Sequence, residues 1–167
     1  MPRFAVDGML GTLARKLRIL GYDTAFLPNV DDRELHALSI RENRILLTSD
    51  RSLHAFTIKK GGSSILVSAA TDEERAALVF HGLRLRPAAL AADRSRCPLC
   101  NGAAEWCARK EVAGILPVGV FARHAQFYRC TVCRKVYWKG SQWKRLLLFS
   151  KRLQRAVEKA DKAQVRR

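Results

Sequence analysis

The chain has 167 residues, of which 48% are hydrophobic and 28% charged, as in one or two small globular domains rather than a disordered or fibrous protein. Thirty-one Lys and Arg residues against fifteen Asp and Glu give a net charge of +16, which points to a polyanionic partner such as nucleic acid. No apolar run approaches the roughly 20 residues that cross a bilayer, and the first residues lack the apolar stretch of a signal peptide. We therefore expect a cytoplasmic protein without a membrane partner.

The positive charge is concentrated in the C-terminal part of the chain. Residues 1–94 hold fourteen basic and eleven acidic residues (+3), residues 95–138 seven and two (+5), and residues 139–167 ten and two (+8). This shift in charge predicts an N-terminal domain over residues 1–94, a cysteine-containing domain over 95–140 and a basic C-terminal helix or tail over 141–167.

Short strands and helices alternate through residues 1–94. The predicted order is a strand over 3–6, a helix from Gly8 to Gly21, a strand over 22–27, a helix from Asp31 or Asp32, a strand over 44–48, a helix over 52–60, a strand over 64–68, and a helix from Thr71 to about residue 82. Such alternation is typical of an α/β fold, so we predict a small parallel sheet flanked by helices.

Acidic residues follow the predicted strands. Asp7 comes after the first strand, Asp31 and Asp32 after the second, Asp50 after the third, and Asp72, less closely, after the fourth. The carboxyl ends of parallel strands lie at one edge, and carboxylates gathered there repel unless a cation lies between them. The spacing therefore favours Mg²⁺ or Mn²⁺ held by oxygen ligands, a site suited to phosphodiester hydrolysis. The alternatives are that Asp31 or Asp32 caps its helix, that Asp50 belongs to a simple turn, and that Asp72 only complements a helix dipole.

Four of the five cysteines form two Cys-x-x-Cys pairs separated by 29 residues: Cys97, Cys100, Cys130 and Cys133. Four thiolates complete a tetrahedral Zn²⁺ site with no open position, so we predict a structural zinc ion. A redox pair would need no second copy, and a disulfide framework is not expected in a reducing compartment. The short apolar stretches between the pairs predict a hairpin-based zinc ribbon, with Cys107 as a buried, unreactive thiol.

Basic and aromatic residues meet at the end of this ribbon and the start of the last helix, which is predicted to begin near Ser141. The candidates for contact with nucleic acid are Tyr137, Trp138, Lys139, Trp143, Lys144 and Arg145. The cations would contact phosphates and the rings would stack on bases. The alternative is a solvated helix that packs back on the protein through its apolar stripe.

Nucleotide-cofactor motifs are absent from the sequence. No Gly-x-Gly-x-x-Gly follows the first strand, and Gly-Lys-Ser or Gly-Lys-Thr does not occur. We therefore expect no small-molecule cofactor, and the sequence leaves the oligomeric state open.

Several motifs together resemble the Mut-seven C-terminal RNase domain family. They are FAVDGMLG at 4–11, LAR at 13–15, LRILGYDT at 17–24, DDREL at 31–35, RILLTSD at 44–50, RCPLCNG at 96–102, FYRCTVC at 127–133 and VYWKGSQW at 136–143. The resemblance covers about residues 3–150 and implies a PIN-like nuclease domain followed by a zinc ribbon. It also implies Mg²⁺ or Mn²⁺ ligands at Asp7 and Asp50, with Asp32 or Asp31 as the third acid.

These observations predict a metal-dependent ribonuclease in which Asp7, Asp32 and Asp50 bind the metal and the ribbon and basic helix bind RNA. Arg15 and Arg18, on the helix after Asp7, would contact phosphate or pair with acids. One alternative is a non-catalytic RNA-binding protein on the same scaffold. Another is a zinc-ribbon regulator that prefers a duplex DNA sequence.

Overall fold

The computed structural model of the protein describes residues 1–165. Its first sheet contains β1 (Phe4–Val6), β2 (Thr24–Phe26), β3 (Ile45–Thr48) and β4 (Ser64–Leu66). The helices that alternate with these strands are α1 (Gly11–Ile19), α2 (Asp32–Arg41), α3 (Arg51–Lys59) and α4 (Asp72–Gly82). All neighbouring strands are parallel, in the order β2-β1-β3-β4. The predicted α/β fold with a small parallel sheet flanked by helices is therefore confirmed.

Hydrophobic clusters cover both faces of this sheet, which explains why the strands are continuously apolar rather than alternating. Phe4 and Val6 of β1 lie in a cluster with side chains of α1 and α4, whereas Ala5 lies in a second cluster with side chains of α2 and α3. Successive side chains of a strand point to opposite faces, so one three-residue strand contributes to both cores.

The long helix α6 (Ser141–Val165) packs against α4 and belongs to the main core. Phe149, Leu153 and Val157 form its buried stripe, and Ser150 is buried beside them. The helix thus packs back on the protein, as one alternative from the sequence proposed; residues 166 and 167 of the predicted tail lie outside the described residues. Despite its length, neither α6 nor another helix within residues 1–165 is apolar enough to cross a membrane.

The second sheet, called the ribbon below, contains β5 (Ala104–Cys107), β6 (Phe127–Cys130) and β7 (Val136–Trp138), antiparallel in that order. A short helix, α5 (Val118–Arg123), lies between β5 and β6. The ribbon has a small core of its own, formed by Cys107, Val112, Phe127 and Val136. Cys107 is therefore buried, as the sequence predicted. A core of this size is marginal by itself, which is why a bound metal matters to such folds.

The packing of α6 predicts a large effect of shortening Leu153, which is 0% exposed. Leu153→Ala should lower the free energy of unfolding by about 2–5 kcal/mol, because it leaves a cavity between α4 and α6. The matched control is Leu148→Ala on the exposed side of α6, which should change stability by less than about 1 kcal/mol. Denaturant unfolding of both variants checks this, and equal effects would show that α6 is not part of the core.

Candidate active site and metal centre

Asp7 and Asp50 are linked through one hydroxyl group at the end of β3. The Oγ1 of Thr48 donates to Oδ2 of Asp7 at 2.6 Å and accepts from the backbone N–H of Asp50 at 2.9 Å. Asp7 follows β1 and Asp50 follows β3, which are neighbouring parallel strands, so both acids lie at the carboxyl edge of the sheet. The sequence motif contained Thr48 but did not reveal that it positions both acids.

Asp50 is both a helix cap and a candidate ligand. Its Oδ1 accepts from the N–H groups of Ser52 and Leu53, in the first turn of α3, and from the Ser52 hydroxyl at 2.6 Å. The Ser52 hydroxyl and these N–H groups lower the pKa of Asp50, because they stabilise the charged form. All three bonds use Oδ1, which leaves Oδ2 available to a cation.

The structure separates the roles of Asp31 and Asp32, which the sequence left open. Asp31 caps α2, since its carboxylate accepts from the Glu34 N–H at 2.8 Å. Within residues 1–165 the Asp32 carboxylate accepts no hydrogen bond. Desolvation and the charges of Asp50, Asp7 and Asp31 raise the pKa of Asp32. Of the two acids, Asp32 is therefore the one without a capping bond and the one whose charge interacts with those of Asp50 and Asp7.

Close packing of two loops brings these acids to one edge. A Cβ at Gly8 would lie 3.0 Å from the carbonyl oxygen of Pro28, and one at Gly11 would lie 2.8 Å from the ring of Phe26. Glycine at both positions therefore lets the loop after β1 approach the end of β2 closely, because a side chain would require the Pro28 backbone or the Phe26 ring to shift. This approach places Asp7 beside the start of α2.

Within residues 1–165, no Lys or Arg forms an ion pair with this group of acids, Asp7, Asp32 and Asp50, although the protein has about twice as many basic as acidic residues. Their ligand atoms do not come within 4.8 Å of one another as a trio, as expected for like charges without a counterion. The set offers only carboxylate oxygens, the donors that suit Mg²⁺ or Mn²⁺, and Asp32 is free to rotate toward such an ion.

Asp72, which follows β4, has a different role. Its carboxylate pairs with Lys16 at 3.2 Å and with Arg75 at 3.3 Å. Its charge is not among those that raise the pKa of Asp32. Asp72 therefore ties α4 to α1 and does not complete the acidic group.

The four paired cysteines form a group that could hold one metal ion. The Sγ atoms of Cys97, Cys100, Cys130 and Cys133 all lie within 4.8 Å of one another. Cys97 and Cys133 are 3.6 Å apart, and Cys100 and Cys130 are 3.3 Å apart. A tetrahedral zinc site has sulfur–sulfur separations of about 3.8 Å, so the four thiols fit zinc.

The two cysteine pairs have the same turn geometry. Asn101 and Arg134, each directly after the second cysteine of its pair, adopt left-handed φ values of 68° and 62°. The N–H of each donates to the carbonyl of the first cysteine of its pair. This turn leaves both thiols of a pair on one side.

Arg18 lies inside the protein rather than at an RNA-binding surface. It is 4% exposed, and its guanidinium donates to the carbonyl oxygens of Thr24, Pro98 and Leu99 at 2.9–3.0 Å. Burial lowers the pKa of Arg18, whereas the nearby thiols of Cys97 and Cys100 raise it. The predicted phosphate contact at Arg18 is wrong, because its donors are used by buried carbonyls; Arg15, one turn earlier, is exposed.

The cysteine group and the acidic group lie at opposite ends of the parallel strands: the cysteines at the amino ends and the acids at the carboxyl ends. Asn101 accepts from the N–H of Thr24, the first residue of β2, at 3.0 Å and donates to Asp23 at 2.7 Å. The first cysteine pair therefore contacts the amino end of β2, whereas Asp7, Asp32 and Asp50 lie beyond the carboxyl ends. A metal at the cysteines is thus too far from the acids to share their chemistry.

The residues predicted to contact RNA divide into two sets. Tyr137, Trp138, Lys139 and Trp143 line one pocket between the ribbon and the start of α6. Lys144 and Arg145 are exposed on α6 beside it. Tyr137 also lies 2.9 Å from the Cys97 sulfur through its hydroxyl, so this ring is held by the cysteine group.

Comparison with known proteins gives a consistent family. A family model described as the Mut7-C RNAse domain matches residues 2–149, a range that includes the acidic and the cysteine groups. The exonuclease mut-7 homolog of Homo sapiens is 35% identical over 104 residues, covering 59% of this chain and 12% of the human protein. The chain thus spans only a small part of that relative's length. No solved structure matches it.

The buried position of Arg18 predicts that Arg18→Lys weakens zinc binding about 10- to 100-fold, the usual effect of losing a group that supports metal ligands. A single ammonium group cannot reproduce the guanidinium contacts to three carbonyls. Competition with a chromogenic chelator measures the affinity. Arg15→Lys is the matched control and should bind zinc as the wild type does; equal affinity in all three proteins would contradict this role for Arg18.

Proposed function

Because the chain belongs to the Mut7-C RNAse domain family, we propose that it is a metal-dependent ribonuclease whose centre is formed by Asp7, Asp32 and Asp50. The observation that carries the proposal is the convergence of three carboxylates at one sheet edge with no ion-pair partner in the described chain. Repulsion of this kind destabilises a fold, so its presence is typical of a site that works with a bound cation.

The proposed substrate is RNA, for reasons of charge and shape. Of the net charge of +16, residues 95–167 carry +13, which suits contact with a phosphate backbone. Asp32 and Asp50 are exposed, so the acidic edge is open to a long polymer rather than enclosed around a small molecule.

Residues around the three acids would have different roles in binding the metal and the substrate. Thr48 fixes the orientation of Asp7, and the start of α3 keeps Asp50 ionised with one oxygen free. Asp32 completes the oxygen donors, and exposed Arg15 on α1 is available to a substrate phosphate. A bound Mg²⁺ or Mn²⁺ would lower the pKa of water and offset negative charge on the phosphate.

We assign the cysteines to one structural Zn²⁺. Four thiolates leave no position for a substrate, and they lie at the edge of the sheet away from the acids. Four free thiols of this kind persist in a reducing compartment, which is consistent with our expectation of a cytoplasmic location.

The first test is cleavage of labelled single-stranded RNA in the presence of Mn²⁺. Asp7→Asn and Asp50→Asn should each reduce the rate by on the order of 100-fold or more, because each removes a ligand from an ion worth several kcal/mol in such reactions. Asp93→Asn removes an equal charge from an exposed residue away from the edge and should leave the rate unchanged. Two other results would instead support the non-catalytic alternative. Either all variants cleave RNA equally, or the wild type does not cleave RNA and binds it with a steep dependence on salt concentration.

The second test is the thermal stability of Asp32→Asn. Since desolvation and the charges of Asp50, Asp7 and Asp31 raise the pKa of Asp32, ionised Asp32 destabilises the fold at pH 7. Without divalent metal, Asp32→Asn should therefore melt slightly above the wild type at pH 7. The difference should shrink as the pH falls through the raised pKa of the folded state and vanish below about pH 3, where the carboxyl is protonated in folded and unfolded chains alike.

Addition of Mn²⁺ should then reverse the order of the two melting temperatures, because only the wild type retains the complete site. Asp31→Asn is the matched control, since asparagine is an equally good helix cap, and it should keep the response to Mn²⁺. A response that is lost in Asp31→Asn and retained in Asp32→Asn would show that the two roles are exchanged.

A further inference from the structure

A pocket of about 110 Å³ lies where the ribbon, the start of α6 and the end of α1 meet. Its walls include Tyr128, Tyr137 and Trp143, and Ile19 and Leu146 form apolar parts of its lining. The pocket is smaller than the closed apolar cavity of about 150 Å³ that holds a benzene ring, but it is partly open to solvent, so it can take part of one flat ring that projects out of it.

One face of the ribbon carries a row of aromatic side chains that ends at this pocket. Trp106, Tyr128 and Tyr137 are direct cross-strand neighbours on β5, β6 and β7. Trp143 of α6 packs on the same cluster as Tyr128 and Tyr137, while Trp106 at the other end of the row is 65% exposed. Flat rings presented in this way are the usual platform for unpaired nucleobases.

The charge around the pocket is positive. The ammonium group of Lys139 lies 5.9 Å from the ring centres of both Tyr128 and Trp143. Arg96 also contributes to the lining, and none of the lining residues is acidic. Exposed Lys144 and Arg145 continue the positive surface along α6. An occupant that combines a flat ring with an adjacent anion matches both features.

The pocket is separate from the acidic edge. Ser95, one of its lining residues, donates to the carbonyl of Ile19 at the end of α1. The acids lie near the start of α1, and nine helical residues span about 13 Å. A group bound in the pocket is therefore not the group that carries the reacting phosphate.

We propose that this pocket binds one nucleobase of single-stranded RNA, several nucleotides away from the phosphate at the acidic edge. The inference rests on the proposed action on RNA, and it adds a base-binding subsite and a preference for unpaired strands. Duplex RNA is disfavoured because its bases are stacked inside the helix and cannot enter.

The experiment measures binding to the zinc-loaded full chain without Mg²⁺ or Mn²⁺, so that it does not depend on cleavage. The probes are a fluorescein-labelled octamer of oligouridylate and an abasic octamer with the same phosphates, followed by fluorescence anisotropy. The wild type should bind the base-bearing strand about 5- to 100-fold more tightly than the abasic strand, the range of one stacked base. Trp143→Leu should lose this preference while its affinity for the abasic strand stays unchanged.

Two further variants, Trp143→Phe and Phe56→Leu, and a duplex RNA probe serve as controls. Trp143→Phe keeps a ring and should retain most of the preference, and Phe56→Leu, outside the pocket, should retain all of it; melting temperatures verify that each variant is folded. Equal weakening of both strands by Trp143→Leu, or binding of duplex RNA as tight as that of the single strand, would overturn the proposal. Because no divalent metal is present, these outcomes are independent of whether Asp7 and Asp50 support cleavage.

Discussion

The contact on which the rest of the structure depends is that of buried Arg18 with the first cysteine pair. Its guanidinium holds the carbonyls of Pro98 and Leu99 against the amino end of β2, and the thiols of Cys97 and Cys100 favour its charge. Four thiolates around Zn²⁺ carry a net negative charge, so a buried cation beside them offsets part of the cost of burying both groups. The contact thereby joins the cysteine group beside the ribbon to the α/β domain.

Because of this contact, the cysteine group and the acids lie at opposite ends of the parallel strands. The cysteine group and the aromatic pocket lie at the amino edge of the parallel sheet, where the chain is strongly basic and has its own small core. The acids lie at the carboxyl edge, where the described chain supplies no counterion. An RNA strand that reaches both ends would be held through its bases and phosphates at the aromatic pocket. One of its phosphates would then lie at the proposed metal site of the acids. The net charge of +16 is thus concentrated in residues 95–167, and no Lys or Arg within residues 1–165 pairs with the acids at the carboxyl ends of the strands.

The sequence predicted the elements of the first 94 residues well, because strand ends, caps and apolar periodicity are local signals. The acids could be found for the same reason, since each follows a strand. Other features depend on contacts between distant residues. Nothing near Arg18 in sequence indicates its contact with Pro98 in the first cysteine pair, 80 residues away, so the sequence offered only phosphate contact or pairing with acids. Which of Asp31 and Asp32 caps α2 depends on the direction of their side chains at the start of that helix. The position of α6 depends on which part of the protein its apolar stripe packs against.

The central claim is that Asp7, Asp32 and Asp50 bind a divalent metal distinct from that of the cysteines. A crystal structure of the zinc-loaded protein soaked in Mn²⁺, with anomalous data collected on both sides of the manganese and zinc absorption edges, tests it directly. We predict a manganese peak bonded to carboxylate oxygens of Asp7, Asp32 and Asp50, and a zinc peak among the four cysteines. Manganese absent from the acids while zinc occupies the cysteines would contradict the claim.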